Sequence, residues 1–416
     1  MTCRKTAEFI QAHADDDIRT LALKAGGRED IDLPFALDQI AGRQTARRKL
    51  PSWAATEGIT YPPHISMEQC SSEQTARYKA DVARRIAGGG LLIDITGGFG
   101  VDFSFMARAF DTAVYVERQE HLCAIAQKNL ALLGAANCRI VNGDGVEHVR
   151  TTTRHASMIY ADPARRNSNG GRTYAIGDCT PDMTEVMDTL LDKTDHVMIK
   201  LSPMLDWHKA VSDIGRNVRE VHIVSAANEC KELLLVISRE CDRPLTVFCA
   251  DDDNVISYTP ETGCLTPAES PTHTDAHPQS ENGDGTEDKT DPSRAPLFLY
   301  EPNASIMKAG CFALVGRRYG VRQISKDSHL FISDKPADNF PGREFTVEAM
   351  TGMNKKELKK TLGTVTQANI ATRNFPLSVA ELRRRLRLKD GGDTYIFATT
   401  TADRKHILFI CKRKTT

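Results

Sequence analysis

Between residues 94 and 162 four acidic side chains, Asp94, Glu117, Asp144 and Asp162, each end or follow an apolar run. The runs read Leu91-Leu-Ile-Asp94-Ile-Thr96-Gly97-Gly98-Phe-Gly100-Val-Asp102, Val114-Tyr-Val-Glu117, Asn142-Gly-Asp144-Gly145 and Met158-Ile-Tyr-Ala-Asp162-Pro163-Ala-Arg165-Arg166. Glycines after an apolar strand serve any tight turn where a Cβ would clash, so Gly97, Gly98 and Gly100 alone name no ligand. The carboxylates narrow the choice. A dinucleotide site turns a helix N-terminus toward a pyrophosphate, which Asp94 at the strand end would repel. A cationic nucleoside suits the pattern better: Asp94 beside an ammonium and a sulfonium, Glu117 accepting from both ribose hydroxyls, Asp144 accepting from an adenine amino group. These requirements describe S-adenosylmethionine, with Thr96 and Asp102 as further contacts and the fourth run beside the methyl acceptor.

Methylation of an exocyclic amine or ring nitrogen needs little acid-base help, because the sulfonium is already a strong electrophile; the site must align the nitrogen and accept its N–H bonds. Asp162 followed by the fixed carbonyl of Pro163 offers two acceptors in set directions, so these two residues are expected at the transfer centre. Arg165 and Arg166 are read as phosphate or base contacts at its mouth, and Lys200, in Val197-Met-Ile-Lys200-Leu-Ser-Pro203, as lining the same face. Simpler roles compete. Asp102 suits the first turn of its own helix, Asp144 a turn, Asp162-Pro163 a turn, the arginines a solvated loop and Lys200 a strand end. Carbon-5 methylation of a pyrimidine would need a cysteine nucleophile; Cys179 and Cys230 are nearest, and both read as buried, inert thiols.

Placing these residues together requires a particular scaffold. Apolar strands are expected near 91–95, 112–117, 138–142, 156–161, 195–201, 220–225 and 232–238, separated by helices. The helix after Glu117 carries Leu122, Ala126, Leu130 and Leu133 on one face, with Gly134 where a left-handed cap belongs. This alternation predicts an α/β fold with a mostly parallel sheet covered on both faces, and ligands bind at the carboxyl ends of such strands. Upstream, residues 5–88 read as helical, through Ile31–Ile40 and Thr75–Ile86, and Gly88-Gly-Gly90 stops the last helix.

A chain of 416 residues exceeds one ordinary core, so several modules are expected. The net charge of -1 excludes a globally basic nucleic-acid coat and makes any basic surface local. The 11 cysteines are scattered without a C-x-x-C or a neighbouring histidine at zinc-ligand spacing, which predicts reduced thiols, no structural metal and a cytoplasmic setting. The polar N-terminus and the lack of a long apolar run predict no signal peptide and no membrane span.

From Thr266 to Ala295 the chain has no Val, Ile, Leu, Met, Phe, Trp, Tyr or Cys, and such a segment is expected to be a disordered acidic insert. From residue 340 to 416 there are 16 Lys and Arg against 7 Asp and Glu. That segment is the local basic surface, a feature of nucleic-acid binding. In it Ser378-Val-Ala-Glu381 is a capping box opening a helix that carries Arg383, Arg384, Arg385 and Arg387 and stops at Gly391-Gly392. Arg383, Arg384 and Arg387 are taken as phosphate contacts.

The quoted motifs resemble those of class I S-adenosylmethionine-dependent methyltransferases. More closely, Glu68-Gln-Cys-Ser-Ser-Glu-Gln-Thr75-Ala-Arg-Tyr-Lys-Ala80, Asp94–Gly100 and Ala161-Asp-Pro-Ala-Arg-Arg166 resemble a bacterial family with a helical N-terminal region, this core, a ferredoxin-like insert and a THUMP-like C-terminal domain. Ala368-Asn-Ile-Ala-Thr-Arg373-Asn-Phe-Pro-Leu and Leu388-Lys-Asp-Gly-Gly-Asp393-Thr-Tyr-Ile-Phe carry the likeness to the last. The resemblance implies a Rossmann-like seven-stranded core ordered 3-2-1-4-5-7-6 with the last strand antiparallel, and small α+β domains after it. Boundaries are expected at 1–88, 89–240, 241–335 and 336–416. It implies S-adenosylmethionine as methyl donor, Asp94, Gly98 and Gly100 at its methionine end, Glu117 on the ribose, Asp144 on the adenine and Asp162-Pro163 at the acceptor. THUMP domains elsewhere bind structured RNA, so the implied partner is tRNA or rRNA and the expected product a methylated base nitrogen; the alternatives are an RNA-binding or assembly protein whose core binds the cofactor without turnover, and a methyltransferase of a protein or small molecule. Two departures stand out: Thr96 occupies a usual glycine position, and Ala164-Arg165 follows Asp162-Pro163 where amino-methylating enzymes carry a second proline and an aromatic ring.

Overall fold

The structure, a computed structural model, describes residues 4–165, 176–215, 217–240, 243–260 and 297–414; the Arg165 side chain, Arg166 and the acidic stretch 266–295 lie outside the described residues. Two compact units divide the chain, the first built chiefly on Met1–Ala226 and Lys231–Phe248, the second chiefly on Ala268–Thr416.

In the first unit six helices precede the sheet: α1 Arg4–Ala12, α2 Ile18–Lys24, α3 Leu33–Lys49, α4 Pro51–Ala55, α5 His64–Gln69 and α6 Glu73–Ala87. Side-chain caps fix several starts. The Ser72 hydroxyl accepts from Thr75 N at 3.2 Å, satisfying one of the orphan donors that opens α6. One face of α6 then buries Ala76, Ala80 and Ala83, and with them Lys79.

The sheet follows as β1 Leu91–Asp94, β2 Thr112–Glu117, β3 Cys138–Asn142, β4 Ala156–Ala161, β5 Thr194–Leu201, β6 Val218–Ala226 and β7 Glu229–Ser238. These seven strands run in the order 3-2-1-4-5-7-6, but within a nine-stranded sheet rather than the expected seven-stranded one, since Thr246–Asp251 and Asn254–Tyr258 extend it beyond β6. β1 through β5 pair in parallel, and β7 lies antiparallel to β5. Order and directions agree with the expected methyltransferase core. The inner strands β1, β2 and β4 are largely buried on both faces, with β3 half-exposed at the edge, because helices α7 Val101–Met106, α8 Glu120–Leu132 and α9 Gly145–Thr151 make the early crossovers. Leu122, Ala126 and Leu130 of α8 face the core and Gly134 takes φ +78°, as the spacing implies.

The helical region also props the glycine turn. Trp53, 1 % exposed, meets Phe99 edge-on with ring centroids 4.9 Å apart, and Phe99 lies between Gly98 and Gly100. Gly97 is required by contact, since a Cβ there would fall 2.3 Å from the ring of fully buried Tyr115. Gly97→Ala is therefore expected to destabilise the protein by about 1–3 kcal/mol, read from urea unfolding, because neither ring nor strand can retreat from a packed core.

In the second unit one seven-stranded sheet runs, edge to edge, through Arg322–Gln323, Phe331–Ser333, Leu297–Pro302, Gly342–Thr351, His406–Arg413, Thr394–Thr400 and Asn369–Arg373. Phe345, Phe397 and Phe409 fill one cluster against it; Leu382, Leu388, Ile396 and Leu408 fill another. The capping box at Ser378 and Glu381 forms in full and opens the helix Val379–Leu386. Among the described residues no helix is long and apolar enough to cross a membrane.

Candidate active site

The carboxyl ends of β1, β2 and β4 converge on the turn between β1 and α7. Asp94 ends β1 with 1 % of its surface exposed. Its Oδ1 accepts from Thr96 N at 2.9 Å and from the Thr96 hydroxyl at 3.3 Å, while Oδ2 has no hydrogen-bond partner among the described residues. Burial pushes the Asp94 carboxyl up to about 8; the Thr96 N–H opposes the rise and the nearby charges of Asp102 and Asp162 add to it. The Thr96 hydroxyl also accepts from Asp162 N at 2.6 Å, which joins the end of β1 to the end of β4.

Gly98, at φ +58°, donates its N–H to Glu117 Oε2 at 2.8 Å, a geometry that favours glycine. Gln119 N donates to the other oxygen of Glu117 at 2.9 Å. A carboxylate offers about four lone-pair sites, so each oxygen keeps roughly one for a ligand. Asp144 caps α9: its Oδ1 accepts from Glu147 N at 2.9 Å and its Oδ2 meets the Arg118 guanidinium. The Glu147 N–H, and after it Arg118, hold its carboxyl below the usual range despite partial burial.

Behind the turn lies a chain of alternating buried charges. Lys79, fully buried on α6, meets Glu232 of β7 and stands 3.2 Å from Asp102 Oδ1. Asp102 Oδ2 accepts from the Ser71 hydroxyl and the Tyr160 hydroxyl, both at 2.8 Å, and Lys200 Nζ lies 3.8 Å away. Lys200, 12 % exposed on β5, donates to Asp162 Oδ2 at 2.6 Å; the Asp162 side chain is 41 % exposed and is the end of the chain that reaches solvent. Burial raises the Glu232 carboxyl. For Asp102 burial is outweighed by Lys79 and Lys200, and its carboxyl is held low. Burial would strip Lys200 of its proton, yet Asp162, Asp102 and Glu232 overcome it and hold the ammonium firmly charged.

Of the residues expected from sequence, Asp94, Thr96, Asp102, Asp162 and Lys200 meet in this one cluster, with buried Pro163 next to it, and Gly98 and Glu117 meet beside it. Asp102 does open α7, but its carboxylate is turned into the buried network and does more than complement a helix end. Arg165 pairs through its backbone with Cys179 in a two-residue ribbon. In the second unit Arg383 donates to Ala368 O at 3.0 Å and pairs with Asp390 at 2.6 Å. Arg384, Arg385 and Arg387 are exposed, as are Lys355, Lys356, Lys359 and Lys360 on the helix Lys355–Leu362.

Sequence reasoning missed Lys79, Glu232, Ser71 and Tyr160. Lys79 carried a usable sign, a lysine in register with Ala76, Ala80 and Ala83 on an apolar helix face. Glu232 carried a similar one, as the charge that opens the buried run Leu233–Ile237.

Relatives place the whole arrangement in a known group. The THUMP domain-like family profile matches residues 342–413 and a ferredoxin-like domain profile matches residues 298–341. The chain is 23% identical over 362 residues to an uncharacterised S-adenosylmethionine-dependent methyltransferase of Mycobacterium tuberculosis, covering 86% of this chain and 89% of that one. It is similar, with a TM-score of 0.80 and 30% identity over 99% of this chain and 98% of the other, to a crystal structure from Porphyromonas gingivalis W83 provisionally described as a methyltransferase. With that likeness extending over both units, the chain belongs to the class I S-adenosylmethionine-dependent methyltransferases that carry a ferredoxin-like and a THUMP-like domain.

Proposed function

We propose that the protein methylates structured RNA, tRNA or rRNA, in the cytoplasm, using S-adenosylmethionine as donor. In this reading residues 1–88 support a catalytic core at 89–240, and segments 241–335 and 336–416 form the ferredoxin-like and RNA-recruiting THUMP-like domains. The residues present fit the donor. Asp94, with Oδ2 uncommitted, suits its cationic end, and Gly97, Gly98 and Gly100 let the backbone approach closely. Glu117 suits a vicinal diol, since each oxygen already takes one backbone N–H and can take a hydroxyl. Asp144 would flank the adenine, with Arg118 and the α9 cap fixing its position. When bound, the donor supplies an electrophilic methyl group; Asp162 and Pro163 would hold the acceptor beside it, near Arg165, Arg166 and Lys200.

The observation that carries the RNA half is the exposed cation set of the THUMP-like segment, Arg384 and Arg385 in the last turn of one helix with Arg387 at its left-handed C-cap, and Lys355, Lys356, Lys359 and Lys360 on another. Such cations displace condensed counterions from a phosphate backbone. Replacing Arg384, Arg385 and Arg387 with Gln should weaken binding to total tRNA and lower the slope of log affinity against log salt by about 2–3, roughly 0.7–0.9 per lost phosphate contact. Affinity that ignores salt in the unaltered protein would overturn the RNA reading. Arg383, committed to Ala368 and Asp390, should give a smaller change in slope when replaced alone.

Donor binding should depend on pH through Asp94. Below about pH 8 the free carboxyl is largely protonated, because burial outweighs the Thr96 N–H. A cationic ligand selects the ionised form, so binding at pH 7 releases a proton and affinity climbs with pH until about 8. Asp102, held low, and Lys200, held charged, keep their protonation across that window. Calorimetry in buffers of different ionisation heat should show the release, and Asp94→Asn should abolish it. A binding enthalpy identical in every buffer would contradict this role for Asp94.

A further inference from the structure

The alternating charges Lys79, Glu232, Asp102, Lys200 and Asp162 are unnecessary for holding a methyl donor. The donor is itself cationic, and an ammonium nearby repels it. Burying a lysine and two carboxylates is costly unless each is paired, so the cluster needs an account on the acceptor side. Lys200 is the informative member. Its Nζ lies 2.6 Å from Asp162 Oδ2, at the end of the cluster that reaches solvent.

The two classes of acceptor make opposite demands on that position. A base nitrogen gains positive charge as its bond to carbon forms, and a fixed ammonium opposes this. A hydroxyl oxygen must instead lose its proton as it attacks, which calls for an acceptor of the proton and a donor for the charge left on oxygen. Asp162 and Lys200 supply these two functions side by side. The chain segment points the same way. Ala164 and Arg165 follow Pro163, with Ala164 in register with Thr180 in a two-residue ribbon, so no aromatic ring directly follows Asp162-Pro163 to stack on an extruded base.

We propose that the acceptor is a hydroxyl oxygen, the ribose 2′-hydroxyl of the RNA, with Asp162 taking its proton and Lys200 orienting and stabilising the oxygen. Lys79, Asp102 and Glu232 are positioning residues that fix the Lys200 ammonium from behind. The acceptor oxygen forms a bond to the methyl carbon as the carbon–sulfur bond breaks, and that bond's electron pair leaves with sulfur as a neutral thioether. The hydroxyl proton passes to Asp162 and cancels its charge, so no net charge is stranded in the site. Asp162 then returns the proton to water through its exposed side.

This inference rests on the RNA reading, and one experiment separates the two. The full-length protein is incubated with S-adenosylmethionine labelled in its methyl group and total RNA from cells lacking the protein, and the RNA is hydrolysed in alkali. A 2′-O-methyl group removes the nucleophile that alkaline cleavage needs, so the expected label is in alkali-stable dinucleotides. Label in methylated mononucleotides overturns the hydroxyl acceptor and keeps the RNA reading; no label in RNA overturns both. Lys200→Met should lose transfer by about 10²–10⁴-fold while calorimetry finds donor affinity within several-fold. Glu232→Gln, which keeps the shape, should lower kcat by about 10-fold with KM for RNA unchanged, a split that a loosened fold would not produce. Full activity in Lys200→Met would sink the proposal.

Discussion

Asp162→Ala lowers methyl transfer by about 10²–10⁴-fold and leaves donor affinity within several-fold of the unaltered protein. The expectation follows from which atoms of Asp162 are used and for what. Its backbone N–H, 2.6 Å from the Thr96 hydroxyl, ties β4 to the glycine turn, and alanine keeps that N–H. Its carboxylate holds Lys200 and faces solvent, and alanine removes it. The donor side is thus spared and the acceptor side lost. Single-turnover transfer and calorimetry measured on the same variant check both halves. A collapse of donor binding would move Asp162 from the acceptor to the donor, and unchanged transfer would remove it from the site.

Lys79→Met should destabilise the protein by about 3–5 kcal/mol, the usual cost of leaving buried partners uncompensated. Lys79 is fully buried and stands between Glu232 and Asp102, which are themselves nearly so. Without the ammonium both carboxylates must protonate or remain charged out of water, so the deficit should narrow as pH falls through the carboxylate range. Urea unfolding at two pH values reads it. The pair also makes a second expectation possible: Lys79→Met combined with Glu232→Leu should recover much of the stability without recovering activity, since replacing a whole buried ion pair by apolar groups is often neutral. A loss below about 1 kcal/mol in Lys79→Met would mean that water reaches the pair.

The parts of the site legible in the sequence are those written in local pattern. Asp94, Glu117 and Asp162 stand at the ends of apolar runs, so reading the strands located them, and the order of runs anticipated β1 to β7 to within about three residues at either end. Lys79 and Glu232 were missed for a physical reason. They lie 153 positions apart in the chain, and the benefit of burying either depends wholly on the other. Each alone looks like an error in an apolar stripe, and only the fold brings them together. The Arg383 stripe failed differently. Four arginines along one helix look equivalent in sequence, yet the turn of the helix delivers Arg383 to Ala368 O and Asp390 and leaves Arg384, Arg385 and Arg387 outward. Asp144 was legible both as a ligand acid and as a turn residue, and its Oδ1 does cap α9.

Thr96 stands where a glycine would be more usual, and its hydroxyl has one proton and two neighbours. Because Asp162 N–H can only donate, that proton must point to Asp94, and it can do so only while Asp94 Oδ1 has a lone pair to offer. Oδ1 keeps a lone pair even when Oδ2 carries the proton, so ionising Asp94 strengthens this bond by making it charge-assisted, and by reciprocity anything that settles the peptide of Asp162 favours the charged Asp94. One oxygen atom makes the two halves of the cleft mutually informed, a dialogue that a glycine at this position would silence.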